Sequence, residues 1–355
     1  MLLNPAYSLL NKYPMKRNLF TLALMLAYSL AFTQTDSADS FYQKGLLEKQ
    51  NGRRMESLKN FEKAYSYNAT KKEIVAEMAS AYLDLRKYSQ ALVNYKKLLA
   101  LGDESATNYK QLMILSFNLK QSDDVITYAN KLKQVDPSEK INYYIGKVNY
   151  DQDNYGDALK YLSLAAKEDP QNSEIPYMIA HSYADMTNYK LAVPYFLKAI
   201  QLDPTKNNWI YELGLICYAM NDDNNALKYI LDAGEKGYKK DNDYLENLGI
   251  AYLDVGRLDE GVNILNEILA KRPSDMNILN MVAEAYYYKG KYQEAMDYWD
   301  KLLGYDKTNA SALYMIGMCY LKKGEKDKGT QLCDKAIEMD PSLASYKQKR
   351  MNMGL

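Results

Sequence analysis

Along most of the chain apolar residues recur at helical spacing, and the clearest stretch is residues 310–343, ASALYMIGMCYLKKGEKDKGTQLCDKAIEMDPSL. Leu313, Ile316, Gly317 and Tyr320 share one stripe of a first segment, from about Ala310 to Lys323. Gly324 stands where a helix closes in a left-handed turn. A second segment carries Gly329, Leu332, Cys333, Ala336 and Ile337 on one face, and Asp340-Pro341 closes it. The small residues Gly317, Gly329 and Ala336 would let two antiparallel helices approach closely. Two helices this short cannot bury their apolar faces on each other alone, so the unit needs neighbours.

The pattern repeats. The small residue that opens the second helix recurs as Ser57, Ala91, Val125, Ala158, Ala192, Ala226, Gly261, Ala295 and Gly329, at steps of 34, 34, 33, 34, 34, 35, 34 and 34 by subtraction. The spacing predicts nine helix–turn–helix units: 38–71, 72–105, 106–138, 139–172, 173–206, 207–241, 242–275, 276–309 and 310–343. The third departs most, with Met113 and Val125 at places that want small residues and Ala129 at one that wants an aromatic, which suggests local repacking. Gly234 and Gly237 predict an early end to a second helix and the widest connection between units. Lys44 in the first unit fits the exposed outer face of a terminal repeat.

The period and its residues resemble the tetratricopeptide repeat (TPR), written W-x2-L-G-x2-Y, then A-x3-F, then P. Leu213-Gly214, Leu248-Gly249 and Tyr252 match the first part, Ala192 with Phe196 the second, and Pro137, Pro170, Pro204, Pro273 and Pro341 the third. The resemblance covers roughly 38–343 and implies an all-α, right-handed superhelix, an α-solenoid of about nine repeats.

Residues 1–33 read as a signal peptide instead of fold. Met15-Lys16-Arg17 is a short positive region, and Leu19–Phe32 is an apolar run. That run, about 14 residues, is shorter than the roughly 20 that span a bilayer. Met15 is the better start, and Ser29-Leu30-Ala31 or Ala31-Phe32-Thr33 would supply small residues before cleavage. A short tail, 34–37, leads into the repeats, and 344–355 is read as a short polar capping segment. The expected location is the bacterial periplasm, with an anchor left by an uncleaved leader as the alternative. No cysteine precedes Cys217, which argues against a lipid-anchoring cysteine after the leader.

Lys+Arg and Asp+Glu both number 45, so no nucleic-acid footprint shows. Removing 1–33 takes away Lys12, Lys16 and Arg17 and no acid, leaving 42 against 45, a balance of −3. The sequence has one histidine and three cysteines, no clustered-glycine phosphate loop and no His/Cys metal spacing, so neither an enzyme nor a cofactor is expected. Cys319 and Cys333 could pair in an oxidising compartment, against the simpler reading of two buried thiols.

Tyrosine is the one excess, at 35 residues. The family resemblance places the first helix of each unit on the concave side, and its groove positions hold Tyr143, Lys147, Tyr150, Tyr177, His181, Tyr211, Tyr218, Tyr287, Tyr288 and Tyr314, with Tyr42, Asp185, Leu215, Glu246, Asp254, Glu284 and Met318 on the same register. Aromatic rings with a polar tip suit partner contact. By resemblance, the function expected is a non-catalytic scaffold that binds an extended peptide or partner protein in that groove. A binder of envelope glycan or peptidoglycan and a self-assembling structural module remain open. A cationic clamp for a C-terminal carboxylate is disfavoured, since only Lys110 and Lys147 stand at its places.

Overall fold

The computed structural model describes residues 37–345, and the expected leader and most of the C-terminal segment lie outside them. Among the described residues the chain is all helix and turn, in two compact units that divide at Pro170/Gln171. The first unit holds α1 (37–50), α2 (Arg54–Tyr67), α3 (Lys72–Asp84), α4 (Tyr88–Ala100), α5 (Ala106–Asn118), α6 (Ser122–Val135), α7 (Asn142–Asp151) and α8 (Tyr155–Glu168). The second holds α9 (Glu174–Asp185), α10 (Tyr189–Leu202), α11 (Asn207–Ala219), α12 (Asp223–Glu235), α13 (Asn242–Asp254), α14 (Leu258–Lys271), α15 (Met276–Tyr288), α16 (Tyr292–Tyr305), α17 (Ala310–Lys322) and α18 (Lys326–Met339), then a short 3-10 turn, Pro341–Leu343. Odd-numbered helices open a hairpin and even-numbered ones close it.

Each hairpin but the third is closed by a crossing of small residues. Gly45, Ala79, Met113, Gly146, Ala180, Gly214, Gly249, Ala283 and Gly317 on the first helices face the nine small-residue places of the second helices, and all of them are buried. A Cβ added at Gly317 would stand 2.8 Å from the Gly329 carbonyl oxygen and 2.7 Å from Cys333 Sγ. At the first crossing Ser57 spends its hydroxyl on the partner helix, donating to the Gly45 carbonyl at 2.9 Å.

The residue four places after each second-helix small residue lies over the first-helix one. Phe61, Tyr95, Leu162, Phe196, Ile230, Leu265 and Trp299 fill this place, and all are buried. The third hairpin reverses the volumes: Met113 is 1% exposed while Ala129 and Val125 are 0% exposed. The methionine supplies from the first helix the bulk that the alanine withdraws from the second, which is the physical content of the expected repacking.

The turn inside each hairpin takes one residue in the left-handed region. Glycine serves at Gly52, Gly256, Gly290 and Gly324, but Arg86, Lys120, Asp153, Thr187 and Asn221 hold φ between 56° and 59° at the equivalent places. A β-branched threonine there is strained by about 1–2 kcal/mol. At the other end of the hairpins, Asp136 accepts from the backbone N–H and hydroxyl of Ser138 at 2.9 and 2.6 Å, and Asp203 does the same with Thr205. These bonds hold both carboxyls below the usual carboxylate range and explain why Pro137 and Pro204, which have no N–H to give, sit in between.

Two expectations need correction. α12 runs on through Gly234 to Glu235, and the connection that follows, 236–241, is matched in length by 136–141. Gly234 serves packing: a Cβ there would meet the Tyr244 hydroxyl, which instead reaches the Ile230 carbonyl at 3.2 Å. Glycine removed volume from α12 so that a tyrosine of α13 could enter.

The volume exchange in the third hairpin predicts strong coupling. Ala129→Phe alone should destabilise by about 1–3 kcal/mol through overpacking, and Met113→Ala alone by about 2–5 kcal/mol through a cavity. Denaturant unfolding of the double variant should recover about 0.5–3 kcal/mol of their sum. Additive losses would show that the two side chains do not share a space.

Candidate interaction surface

In the first unit α7 presents the expected Tyr143, Lys147 and Tyr150, all partly buried. Tyr143 packs at 6.3 Å from Phe117 of α5 and edge-on to Tyr144 at 5.7 Å. Lys147 is ion-paired one turn on with Asp151 at 3.2 Å, and its ammonium lies 5.9 Å from the Tyr150 ring centre. The lysine therefore serves its own helix first.

In the second unit Tyr177 and His181 come from α9. The Tyr177 ring stacks on Trp209 of α11 at 4.5 Å and 13°, and its edge meets Phe196 at 6.0 Å. Its hydroxyl donates to Glu212 Oε1 at 3.4 Å. His181 Nδ1 lies 2.9 Å from Asp185 Oδ2. Glu212 stands out because its other oxygen, Oε2, is buried with no hydrogen-bond partner. Burial pushes its carboxyl up, against the opposing bond from Tyr177 and the proximity of His181. Neither Trp209 nor Glu212 was among the expected site residues. The signal that could have found them is the one-turn offset from Tyr177 and His181 to the facing helix, which needs the side-by-side placement of α9 and α11.

The expectation that Tyr211 and Tyr314 stand free in the groove is corrected. Tyr211 is 7% exposed, stacked on Tyr238 at 4.2 Å and accepting from Asn247 at 2.7 Å. Tyr238 belongs to the 236–241 connection, so the one-residue insertion in this repeat brings the ring that covers Tyr211. Tyr314 is 5% exposed, packed with Cys333 and Leu343. Tyr287 is partly buried, 6.0 Å from the Trp299 ring, and burial drives its hydroxyl up to about 12.

Tyr218 and Tyr288 are the exposed rings of the set, at 46% and 79%. Both line a cavity of about 340 Å³ opened by α11, α13 and α15. Ile250, Leu253 and Met281 give it apolar wall, and Asp254 and Glu284 add two carboxylates. Glu284 accepts from Asn280 at 2.9 Å. Burial raises the Asp254 carboxyl, with the charge of Asp223 adding to it.

The three cysteines are buried and none is in a disulfide, and burial pushes Cys217 up to about 11 and Cys319 up to about 12, which keeps these two far from reactive thiolates. Among the described residues no three His, Cys, Asp or Glu side chains gather as a metal-binding group, and no helix is long and apolar enough to cross a membrane.

Burial divides the expected tyrosines into two kinds, with different thermodynamic consequences. Tyr211→Ala should lower stability by about 3–5 kcal/mol, as for a truncated core aromatic. Tyr288→Ala should stay within about 0.5 kcal/mol of the parent. Thermal melting separates them, and early melting of the Tyr288 variant alone would reverse the assignment.

Tetratricopeptide-repeat family models match residues 246–303, 280–344 and 174–206. No curated protein matches the chain. Solved structures that resemble it include YrrB, described as a TPR protein with an unusual peptide-binding site, at 19% identity, TM-score 0.43, over 53% of this chain and 97% of that one. MamA aligns at 18% identity, TM-score 0.42, over 49% of this chain and 94% of that one. The C-terminal part of a TPR repeat-containing protein from Cytophaga hutchinsonii aligns at 16% identity, TM-score 0.46, over 78% and 99%. With small residues at the hairpin crossings on a 34-residue period, and repeat models matching residues 174–206 and 246–344, the chain carries tetratricopeptide repeats.

Proposed function

We propose that the chain is a non-catalytic scaffold which holds an extended peptide segment of a partner protein along its first-helix faces. The coarser part, a protein-interaction scaffold, is what the tetratricopeptide repeats support. The observation that carries the finer part is the pair of solvent-facing rings, Tyr218 and Tyr288, on either side of an apolar-walled cavity between three first helices. A fold has no packing reason to keep a ring 79% exposed, whereas a partner gains area from it at small rotamer loss. Rings that pack on each other, such as Tyr177 on Trp209, stiffen the surface beside it.

In the same reading the chain is exported to the periplasm and works in envelope assembly or maintenance, on the strength of the leader pattern at Met15–Thr33.

Site-specific photocrosslinking of the full chain in cells tests both parts. A benzoylphenylalanine at position 288 should capture a second protein, while one at Leu197, exposed on the second helix α10, should capture little. Equal capture from both, or capture from Leu197 alone, would contradict the first-helix reading. N-terminal sequencing of the captured chain should begin between Phe32 and Asp36, and a start at Met1 or Met15 would contradict export with cleavage.

A further inference from the structure

Charge is distributed by face over the four hairpins α9 to α16 of the second unit, whereas the next first helix, α17, carries Lys322 and no acid. The first helices α9, α11, α13 and α15 carry seven aspartates and glutamates and no lysine or arginine. The second helices differ: α10 carries Lys190 and Lys198 and no acid, while α12, α14 and α16 mix both signs, with Lys228, Lys271 and Lys301 among their acids. A face selected only for solvation would mix signs as α12, α14 and α16 do.

The cavity between α11, α13 and α15 is where this bias meets a shaped surface. Asp254 and Glu284 line it, and among the described residues neither is ion-paired. Lys289 also lines it, one cation against the two carboxylates, and its ammonium lies 3.2 Å from where a Cβ on Gly256 would stand. At about 340 Å³ the cavity is at the small end of ligand sites, which fits one long side chain.

We infer that this cavity is a socket for a lysine or arginine side chain of the bound segment, so that the partner is a basic peptide; the inference rests on the peptide-scaffold reading above. Ile250 and Met281 would take the aliphatic stem, as long cationic side chains bury their methylenes against apolar wall. Tyr218 and Tyr288 offer ring faces to the cation. Asp254 and Glu284 supply the opposite charge, which a guanidinium or ammonium binds more strongly than a neutral donor would. An acidic segment would place like charges beside two carboxylates, which adds rejection to attraction. The raised Asp254 carboxyl agrees with this arrangement: its ionised form lacks compensation that an entering cation would provide.

The test is selection of a random dodecapeptide library, displayed on phage, against the full chain, followed by affinity measurement of the selected peptides. The expected result is enrichment in lysine and arginine. Asp254→Asn with Glu284→Gln should then weaken binding by about tenfold or more at unchanged melting temperature, and added salt should weaken the parent more than this variant. Selected peptides that lose binding in Tyr218→Ala with Tyr288→Ala, yet show no basic enrichment or bind the Asn/Gln variant equally, would overturn the socket and leave the scaffold reading standing. Selected peptides indifferent to all four substitutions, or no selected peptide at all, would overturn both.

Discussion

Each hairpin depends on how closely two helical backbones can cross. At Gly317 and Gly329 neither residue leaves room for even one carbon, since an added Cβ on either would stand under 3 Å from the carbonyl oxygen of the other. That contact sets the depth at which the next layer packs. The residue four places on can then lie over the crossing, which is why Phe61, Phe196 and Trp299 are all but inaccessible to solvent. Short helices gain little from propensity alone, so the burial between hairpins holds each one in place. The same geometry leaves part of the far side of α11, α13 and α15 open, where Tyr218, Asp254, Glu284 and Tyr288 line a cavity. Folding uses one side of these helices, and the recognition proposed above would use the other.

Much of this is legible in the sequence because the constraint is steric and periodic. Small residues stand at every crossing but the third, where Met113 meets Val125, so the run from Ser57 to Gly329 can be read without a structure. The Asp-Pro-Ser/Thr ends are legible for the same reason, as a local hydrogen-bonding motif. The hairpin turns are less so. Arg86, Lys120, Asp153, Thr187 and Asn221 take the left-handed place without glycine, where local preference yields to the packing of the two helices on either side.

Exposure of the tyrosines was the least legible property. Tyr211 and Tyr218 lie on one first helix at the spacing expected of groove residues, yet one is buried and the other open. What separates them is tertiary: Tyr238, carried in by the connection 236–241, covers Tyr211. Tyr314 likewise sinks toward Cys333, which is smaller than the Phe or Trp at the same place elsewhere. The pairing of Tyr177 with Trp209 and Glu212 depends on which residues two neighbouring helices bring opposite each other, and period alone does not reveal it. Face-by-face charge could have been read from the sequence once helices were assigned, but not the cavity in which Asp254 and Glu284 meet two open rings.

The most direct measurement of the crossing constraint compares two glycine-to-alanine substitutions by denaturant unfolding. Gly317→Ala places a methyl group 2.8 Å from a carbonyl oxygen and 3.0 Å from a backbone nitrogen of the facing helix, neither of which can move without moving α18. Gly304→Ala adds the same methyl group to an exposed helical glycine of α16 that has nothing within 4 Å. Alanine in place of glycine in a compatible helix should stabilise by about 0.4–1 kcal/mol, and overpacking should destabilise by about 1–3 kcal/mol. The account therefore predicts opposite signs, a gain at 304 and a loss at 317. A gain at both positions would contradict it, because the helices would then be free to separate and the crossing would not govern the fold.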